Sequence, residues 1–494
     1  MAKKVIVIGA GFAGIAAATT LAEYGFDVTV LEKNTTAGGR ARVFEAEGFT
    51  FDMGPSWYWM PDIFDKYFAR FGKKTSDFYT LHRLSPSYTV VFGQNDFVDI
   101  PSDMQALRQL FESYEIGSAA KLDEFLAQAA YKYKVGIDTF VYKPSLSILE
   151  FLQPRYLFDA LRLQIFESFA SHARKFFSNE KLLKIVEFPV LFLGAVPENT
   201  PAMYSLMNYA DMALGTWYPM GGMHQIVKGM VKVAEEKGVK FLYNQTVSKI
   251  DFEGNKATKI TTNSQNNPQI FDIDAVVAGA DYQHIEQDIL PKEFQMYDKT
   301  YWNSRVMAPS SIIFYLGINK KLKNLRHHNL FFDTDFALHA KEIYETPMFP
   351  TEPLFYVSVP SQTDDSVAPV GCENVFILIP VAPDLEDSEA MREKYYHIVL
   401  ERLEKLTGQT IRESVIYKRS YAHKDFIADY NSFKGNAYGL ANTLRQTAIL
   451  KPSLKNKKTK NIYFTGQLTV PGPGVPPSLI SGQVVAKVVA KEHK

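Results

Sequence analysis

Three glycines, Gly9, Gly11 and Gly14, with Glu32 about twenty residues further on, have the spacing of a dinucleotide site. Each part has a separate physical job. Gly9 permits a tight turn, Gly11 lets the backbone approach a pyrophosphate, and Gly14 lets a helix pack close to a strand. Phe12 and Ala13 sit where a helix N-terminus offers unpaired N–H groups and a positive dipole end to the phosphates. Glu32 can accept hydrogen bonds from ribose hydroxyls, and its charge would repel a 2′-phosphate.

A second cluster follows the acid at once. Lys33 leads into Asn34-Thr35-Thr36-Ala37-Gly38-Gly39-Arg40-Ala41. Two adjacent glycines and an arginine add backbone donors and a cation, suited to a second approach to a pyrophosphate or a flavin. This run after the acid resembles that of the FAD superfamily of glutathione-reductase-like oxidases and amine oxidases, which implies FAD as the dinucleotide. A second fingerprint is missing. Val276-Val277-Ala278-Gly279-Ala280-Asp281 is a strand running into a turn without GxGxxG, and Gly472-Pro473-Gly474 is Pro-rich and follows no clean strand. A resident NAD(P)H domain is therefore not expected.

These residues need elements to hold them. Val5-Ile6-Val7-Ile8 is a short β-branched run that predicts a buried parallel strand. A small-residue helix is expected from about Ile15 to Tyr24, capped by Gly25, and a second strand over Val28–Leu31. Gly54-Pro55-Ser56 marks a turn beside Trp57 and Trp59. The Pro/Gly turn at Tyr218–Met223 leads into a helix to about Lys237. Strands are expected at 239–243, 246–250, 257–262 and 270–278, with Val247 offering backbone groups to an adenine. Near the end, the strand Asn461–Gly466 runs into a Pro/Gly loop through Gly474, Val475 and Pro476, and a helix starts near Pro477. A helix N-terminus aimed at a flavin ring stabilises the anion that forms at N1 on reduction.

The expected architecture is α/β. A Rossmann-like, glutathione-reductase-like FAD domain is assembled from residues 1–85, 216–290 and 441–494. A substrate domain built on a mixed β-sheet takes 86–102 and 291–440, with β-rich stretches at 306–318, 353–359 and 373–381. A helical lid or membrane-facing subdomain takes 103–215. There Phe158, Leu161, Ile165 and Phe169 fall near helical spacing, with Arg155, Arg162, His172, Arg174, Lys175, Lys181 and Lys184 interleaved. That face suits an anionic membrane surface, or equally an ordinary amphipathic helix. The Lys-rich stretch 451–460 reads as a solvated surface turn.

Bulk composition bounds the function. The 494 residues carry net charge zero, which argues against a nucleic-acid surface. Aromatic residues make up 14%, which fits either an apolar ligand cavity or a Phe-rich core. Cys372 is the single cysteine, so no internal disulfide and no dithiol relay can form. That fits a cytoplasmic location. No run approaches the roughly 18 apolar residues of a membrane span, and no signal peptide is evident. His327 and His328 are adjacent and lack a third ligand, so no metal site is expected.

With these pieces together, the chain resembles the bacterial-type phytoene desaturases of carotenoid synthesis. The resemblance rests on Gly9–Gly14, Gly38–Ala41, Phe49–Pro55, Tyr218–Gly222, Gly279–Asp281 and Leu325–His328. Its most specific part is Thr469-Val470-Pro471-Gly472-Pro473-Gly474-Val475-Pro476, which matches the family signature T-x-P-G-x-G-x-P. The resemblance implies an FAD-dependent oxidoreductase acting on CH–CH bonds, with FAD held by the glycine clusters, Glu32, Lys33, Arg40, Gly54–Ser56, Val247, Gly466 and Gly474–Pro476. It implies a carotenoid hydrocarbon substrate, phytoene taken in several steps to lycopene, and a quinone or oxygen as electron acceptor. It also implies peripheral attachment to the inner face of a membrane. The family carries an acid in its helical region with an arginine three residues on. Glu150 aligns with that acid, but Gln153 replaces the arginine, so Glu150 is either the catalytic acid or a helix-surface residue. Alternatives on the same scaffold are a desaturase of a hydroxylated or C30 carotenoid, a carotene isomerase, and a non-catalytic lipid-binding escort protein.

Overall fold

The structure, a computed structural model, describes residues 2–152, 162–191, 196–264 and 267–493. Its centre is a five-stranded parallel sheet in the order Ile462–Phe464, Ala275–Ala278, Lys4–Ile8, Asp27–Leu31, Lys240–Leu242. Strands covered on both faces read as continuous apolar runs, as Val5–Ile8 does. Alternate residues serve different layers. Val5, Val7, Val28 and Val30 pack against helices, while Ile6, Ile8 and Leu31 pack toward an antiparallel meander of Thr246–Glu253, Lys256–Ser264 and Asn267–Asp272.

The helix Phe12–Glu23 is apolar on all sides and lies against both His224–Glu236 and Val475–His493. Its contact with the latter is unusually close. A Cβ placed on Gly482 would lie 2.2 Å from the carbonyl oxygen of Ala13.

Two element boundaries differ from expectation. The stretch 270–278 is two strands in two sheets, split at Ile273 and Asp274. The Asp274 carboxylate accepts a bond from the backbone N–H of Lys4 and so ties the second piece to the central strand. The carboxyl-terminal helix begins at Val475, with Pro476 and Pro477 in its first turn, where missing N–H groups cost nothing.

A second, seven-stranded mixed sheet runs in the order Val415–Tyr421, Ser310–Ile318, Glu373–Val381, Phe355–Ser358, His328–Phe331, Tyr88–Gly93, Asp96–Ile100. One face, carrying Ile312, Phe314 and Ile377, packs in one core with Val399, Leu400 and Leu403 of the helix Glu389–Thr407. The other face, carrying Ile313, Leu330 and Leu378, looks into a cavity.

Helices dominate the stretch between the sheets, among them Met104–Tyr114, Ser118–Val135 and Glu180–Leu191. The expected amphipathic helix through Ile165 and Phe169 is not one helix. Residues 163–166 form turns, and a new short helix starts at Phe169. Phe169 and His172 are buried, and the His172 ring meets the Lys132 ammonium at 3.2 Å. Arg174 pairs with Glu187 and Lys181 with Asp96. Arg155, Phe158 and Leu161 lie outside the described residues. In this region, among the described residues, apolar exposure falls instead on Ile116, Ile148, Leu149, Leu152 and Phe166. Among the described residues, no helix is long and apolar enough to cross a membrane.

The stretch 451–460 also differs from expectation. Lys457, Lys458 and Lys460 are exposed, but Lys451 is buried, as are Leu454 and Asn456.

Candidate functional site

One cavity of about 490 Å³ joins the parallel sheet to the mixed sheet. Its nucleotide end is built from the first turn. Gly9 has φ +96°, and its N–H donates to Leu31. Gly14 does not line the cavity; a Cβ there would sit 2.0 Å from the Gly9 carbonyl oxygen, so its role is packing. Gly11 does line it, and a Cβ there would meet nothing within 4 Å. The space in front of Gly11 is open to the cavity and would admit a ligand. Gly39 backs onto Gly11, where its own Cβ would come within 3.2 Å of the Gly11 α-carbon.

Glu32 is buried and fixed. One carboxylate oxygen accepts from the N–H of Ala10 at 2.8 Å, and the other accepts from the N–H and side-chain amide of Asn34. Arg40 donates through Nη2 to the Ser432 hydroxyl and to the Asn436 carbonyl, and its guanidinium stacks on Tyr430. Its buried Nε has no partner, although the residue lines the cavity. A buried donor left unpaired is costly, and a phosphate or flavin oxygen would satisfy it. Burial lowers the Arg40 pKa, opposed by the charge of Asp281. The donors, the carboxylate and the glycine cradle fit FAD.

Phe12, Ala13, Lys33, Gly38, Gly54, Pro55, Ser56, Val247, Gly466, Gly474, Val475 and Pro476 also line this cavity. The Lys33 ammonium is turned to the Ala428 carbonyl and the Asn431 amide. Glu150 is not part of the lining. Its carboxylate accepts backbone N–H groups of Ser145, Leu146 and Ser147, closing a capping box on a short helical turn. The histidines serve hydrogen bonds: His327 meets the Thr363 hydroxyl and His328 the Tyr356 hydroxyl. Among the described residues, no cluster could hold a metal ion.

Beyond Gly54 the cavity becomes a chamber walled by Trp57, Trp59, Phe188, Met207, Phe332 and Phe336. Sequence reasoning did not find these walls, which come from four distant stretches. Trp57 stacks on His328 at 4.1 Å between ring centroids. The lining carboxylates Glu32, Asp281 and Asp429 all belong to the nucleotide end, where Asp429 pairs with Arg42. In the chamber, His339 has both ring nitrogens in use, bonded to Leu354 N–H and the Pro380 carbonyl, and burial lowers its pKa to about 4.

Trp59 is oriented from behind. Its Nε1–H donates to the Thr216 hydroxyl, which donates to Asp211, and Asp211 also accepts from the Tyr88 hydroxyl. Burial raises the Asp211 pKa to about 7, above the ordinary 3.8. The folded state thus holds this proton more tightly than the unfolded chain. The stabilisation is complete below the unfolded value and is lost as pH rises through 7. Asp211→Asn should therefore flatten the fall in stability between pH 4 and 7, by up to about 4 kcal/mol. Denaturant melts of both proteins across that range check this; parallel curves would refute it.

Comparison with known proteins matches this geometry. The sequence profile of the flavin containing amine oxidoreductases matches residues 12–490. A carotenoid 3,4-desaturase of Haloarcula japonica is 39% identical over 99% of this chain and 98% of its own length. A zeta-carotene-forming phytoene desaturase of Myxococcus xanthus is 31% identical over 98% and 93%. Among solved structures, an oxidoreductase from Methanosarcina mazei superposes with TM-score 0.63 at 18% identity, covering 98% of this chain and 100% of its own, which is a likeness of fold. The chain belongs to the flavin-containing amine oxidoreductase family, in its carotenoid desaturase branch, and uses FAD.

Proposed function

We propose that the chain desaturates phytoene, in several steps toward lycopene. The observation that carries this reading is the chamber: its walls are aromatic and aliphatic, and all the lining carboxylates stand at the nucleotide end. An amine substrate would need a polar anchor, and among the described lining residues the chamber offers no carboxylate. A long hydrocarbon needs only apolar walls and a fixed position relative to the cofactor.

FAD, when bound, supplies a hydride acceptor for a C–H bond flanked by alkenes. The protein's share is positioning. Trp57 and Trp59, locked by His328 and by the Thr216–Asp211 network, set the wall beside the Gly54–Ser56 turn. The chamber's apolar walls would disfavour water beside a delocalised cation left on the substrate. Its second proton is acidic and needs only a weak acceptor, such as the hydroxyls of Ser311, Tyr344 or Tyr438 in the wall. In this reading Glu150 serves the fold of the helical region. The exposed Ile148, Leu149, Leu152 and Phe166 support loading from a membrane surface, where a quinone or oxygen would re-oxidise the cofactor.

The test is to supply phytoene in liposomes under anaerobic conditions. Conjugated products with stoichiometric loss of flavin absorbance are expected. An altered isomer profile with the bond count unchanged would replace this reading by an isomerase, and a protein that cannot take up FAD would replace it by an escort role.

One observation favours a second reading. Ser311 is fully buried, and its hydroxyl meets that of Tyr438; both line the cavity together with Tyr344. Such a polar spot in an apolar wall suits a substrate with a hydroxyl group. Side-by-side turnover of phytoene and a hydroxylated carotenoid separates the two readings.

A further inference from the structure

Lys451 is a buried cation that neither the fold nor the chemistry above has used. It is 5% exposed. Its ammonium donates to the side-chain carbonyl of Asn442 at 3.0 Å. The other face of this pair is Gly472. A Cβ there would lie 2.9 Å from Asn442 Oδ1 and 3.1 Å from Lys451 Nζ, so amide and ammonium rest directly on the glycine backbone. Gly472 has φ +139° and opens the turn that carries Pro473, Gly474 and Val475 into the cavity wall. The segment of Lys451 is tied to the same loop on its other side, since the Thr469 hydroxyl donates to the Pro452 carbonyl and Phe464 N–H donates to Leu454.

Buried lysines without a carboxylate are rare, because the charged form loses its hydration. Lys451 faces the neutral Asn442 from one segment and the Gly472 backbone from the cofactor loop. No charged side chain acts on it from either, and burial alone lowers its pKa to about 7. A leucine would fill such a space with no desolvation cost, so the retained amine calls for a reason in charge or hydrogen bonding.

We propose that Lys451 is a positioning residue for the flavin: through Asn442 and Gly472 it fixes the Gly472–Val475 turn, and its charge behind that wall favours the reduced, anionic cofactor. A positive charge held near a site of developing negative charge stabilises it. The proposal rests on FAD binding and does not depend on which carotenoid is the substrate.

The experiment is an anaerobic redox titration of the purified holoprotein against a reference dye, with dithionite as reductant, so no carotenoid is needed. Lys451→Met and Lys451→Gln should keep bound FAD but shift the reduction equilibrium at least tenfold toward the oxidised form, about 30 mV for a two-electron couple. Lys451→Arg should restore it to within threefold. Wild-type potentials in both neutral variants, with full FAD content, would overturn the proposal. So would loss of FAD in all three variants, which would mark Lys451 as space-filling. If the Met and Gln variants do not fold, comparison with Lys451→Arg decides: the wild-type potential should fall below that of the Arg variant as pH rises from 6 to 9, and parallel curves would overturn the idea.

Discussion

Gly11→Val should purify as a folded protein without flavin, and Gly14→Ala should hardly accumulate at all. The two glycines stand three residues apart in one fingerprint, yet the structure gives them opposite surroundings. Gly11 has φ −78° and ψ 177°, an extended conformation open to any residue, so valine adds no backbone strain there. Its new methyl groups would enter the empty space in front of the helix N-terminus. They would stand where a pyrophosphate must come, and FAD affinity should fall at least about 100-fold, roughly 3 kcal/mol. At Gly14 the new Cβ would be driven 2.0 Å from the Gly9 carbonyl oxygen, and neither partner can yield because both are backbone. Overpacking usually costs about 1–3 kcal/mol, and this backbone clash should exceed that. Flavin absorbance, circular dichroism and soluble yield read the two outcomes. A yellow Gly11→Val protein would remove the cradle reading.

Gly482→Ala should lose stability and flavin together. Its Cβ would lie 2.2 Å from the Ala13 carbonyl and 2.8 Å from the Ala17 nitrogen. The carboxyl-terminal helix would have to retreat from the fingerprint helix. Phe12 and Ala13 on one helix, and Val475 and Pro476 on the other, line the cavity, so the retreat opens the site itself. A loss of about 3 kcal/mol is expected, seen as a lower melting temperature and reduced FAD content in the same preparation. A variant with normal melting and normal flavin would show that these helices do not set the cofactor wall.

The parts of the site legible in the sequence are those whose geometry is local. A strand, a turn and a helix in about thirty residues leave little freedom, so Gly9, Gly11, Gly14 and Glu32 could be assigned separate jobs before any fold was known. The loop from Gly466 to Pro476 was legible for a similar reason, since proline and glycine fix backbone shape locally. The chamber was not. Trp57 meets His328, and Trp59 reaches Asp211 through Thr216, across separations that no periodicity encodes. Lys451 was misread because a lysine-rich stretch looks solvated on average, and burial of one member depends on what folds over it. The expected amphipathic helix failed likewise: the spacing around Ile165 and Phe169 is helical, but Phe169 is claimed by the interior of the helical region. Asp281 was noted only within a motif; its carboxylate accepts from Phe433 N–H and its charge acts on Arg40.

The order of strands in the parallel sheet has a consequence for synthesis. The fingerprint unit is synthesised ahead of its other sheet partners: Lys240–Leu242 and Ala275–Ala278 follow near the middle of the sequence, and Ile462–Phe464 with its helix later still. Until then the cradle lacks the Val475 wall and the packing partner of the fingerprint helix. A complete cofactor wall is therefore available only once the helix Val475–His493 has been made and has packed on the fingerprint helix. Chains that stop before that helix carry the whole fingerprint and are expected to stay colourless, so flavin absorbance should report only chains that include it.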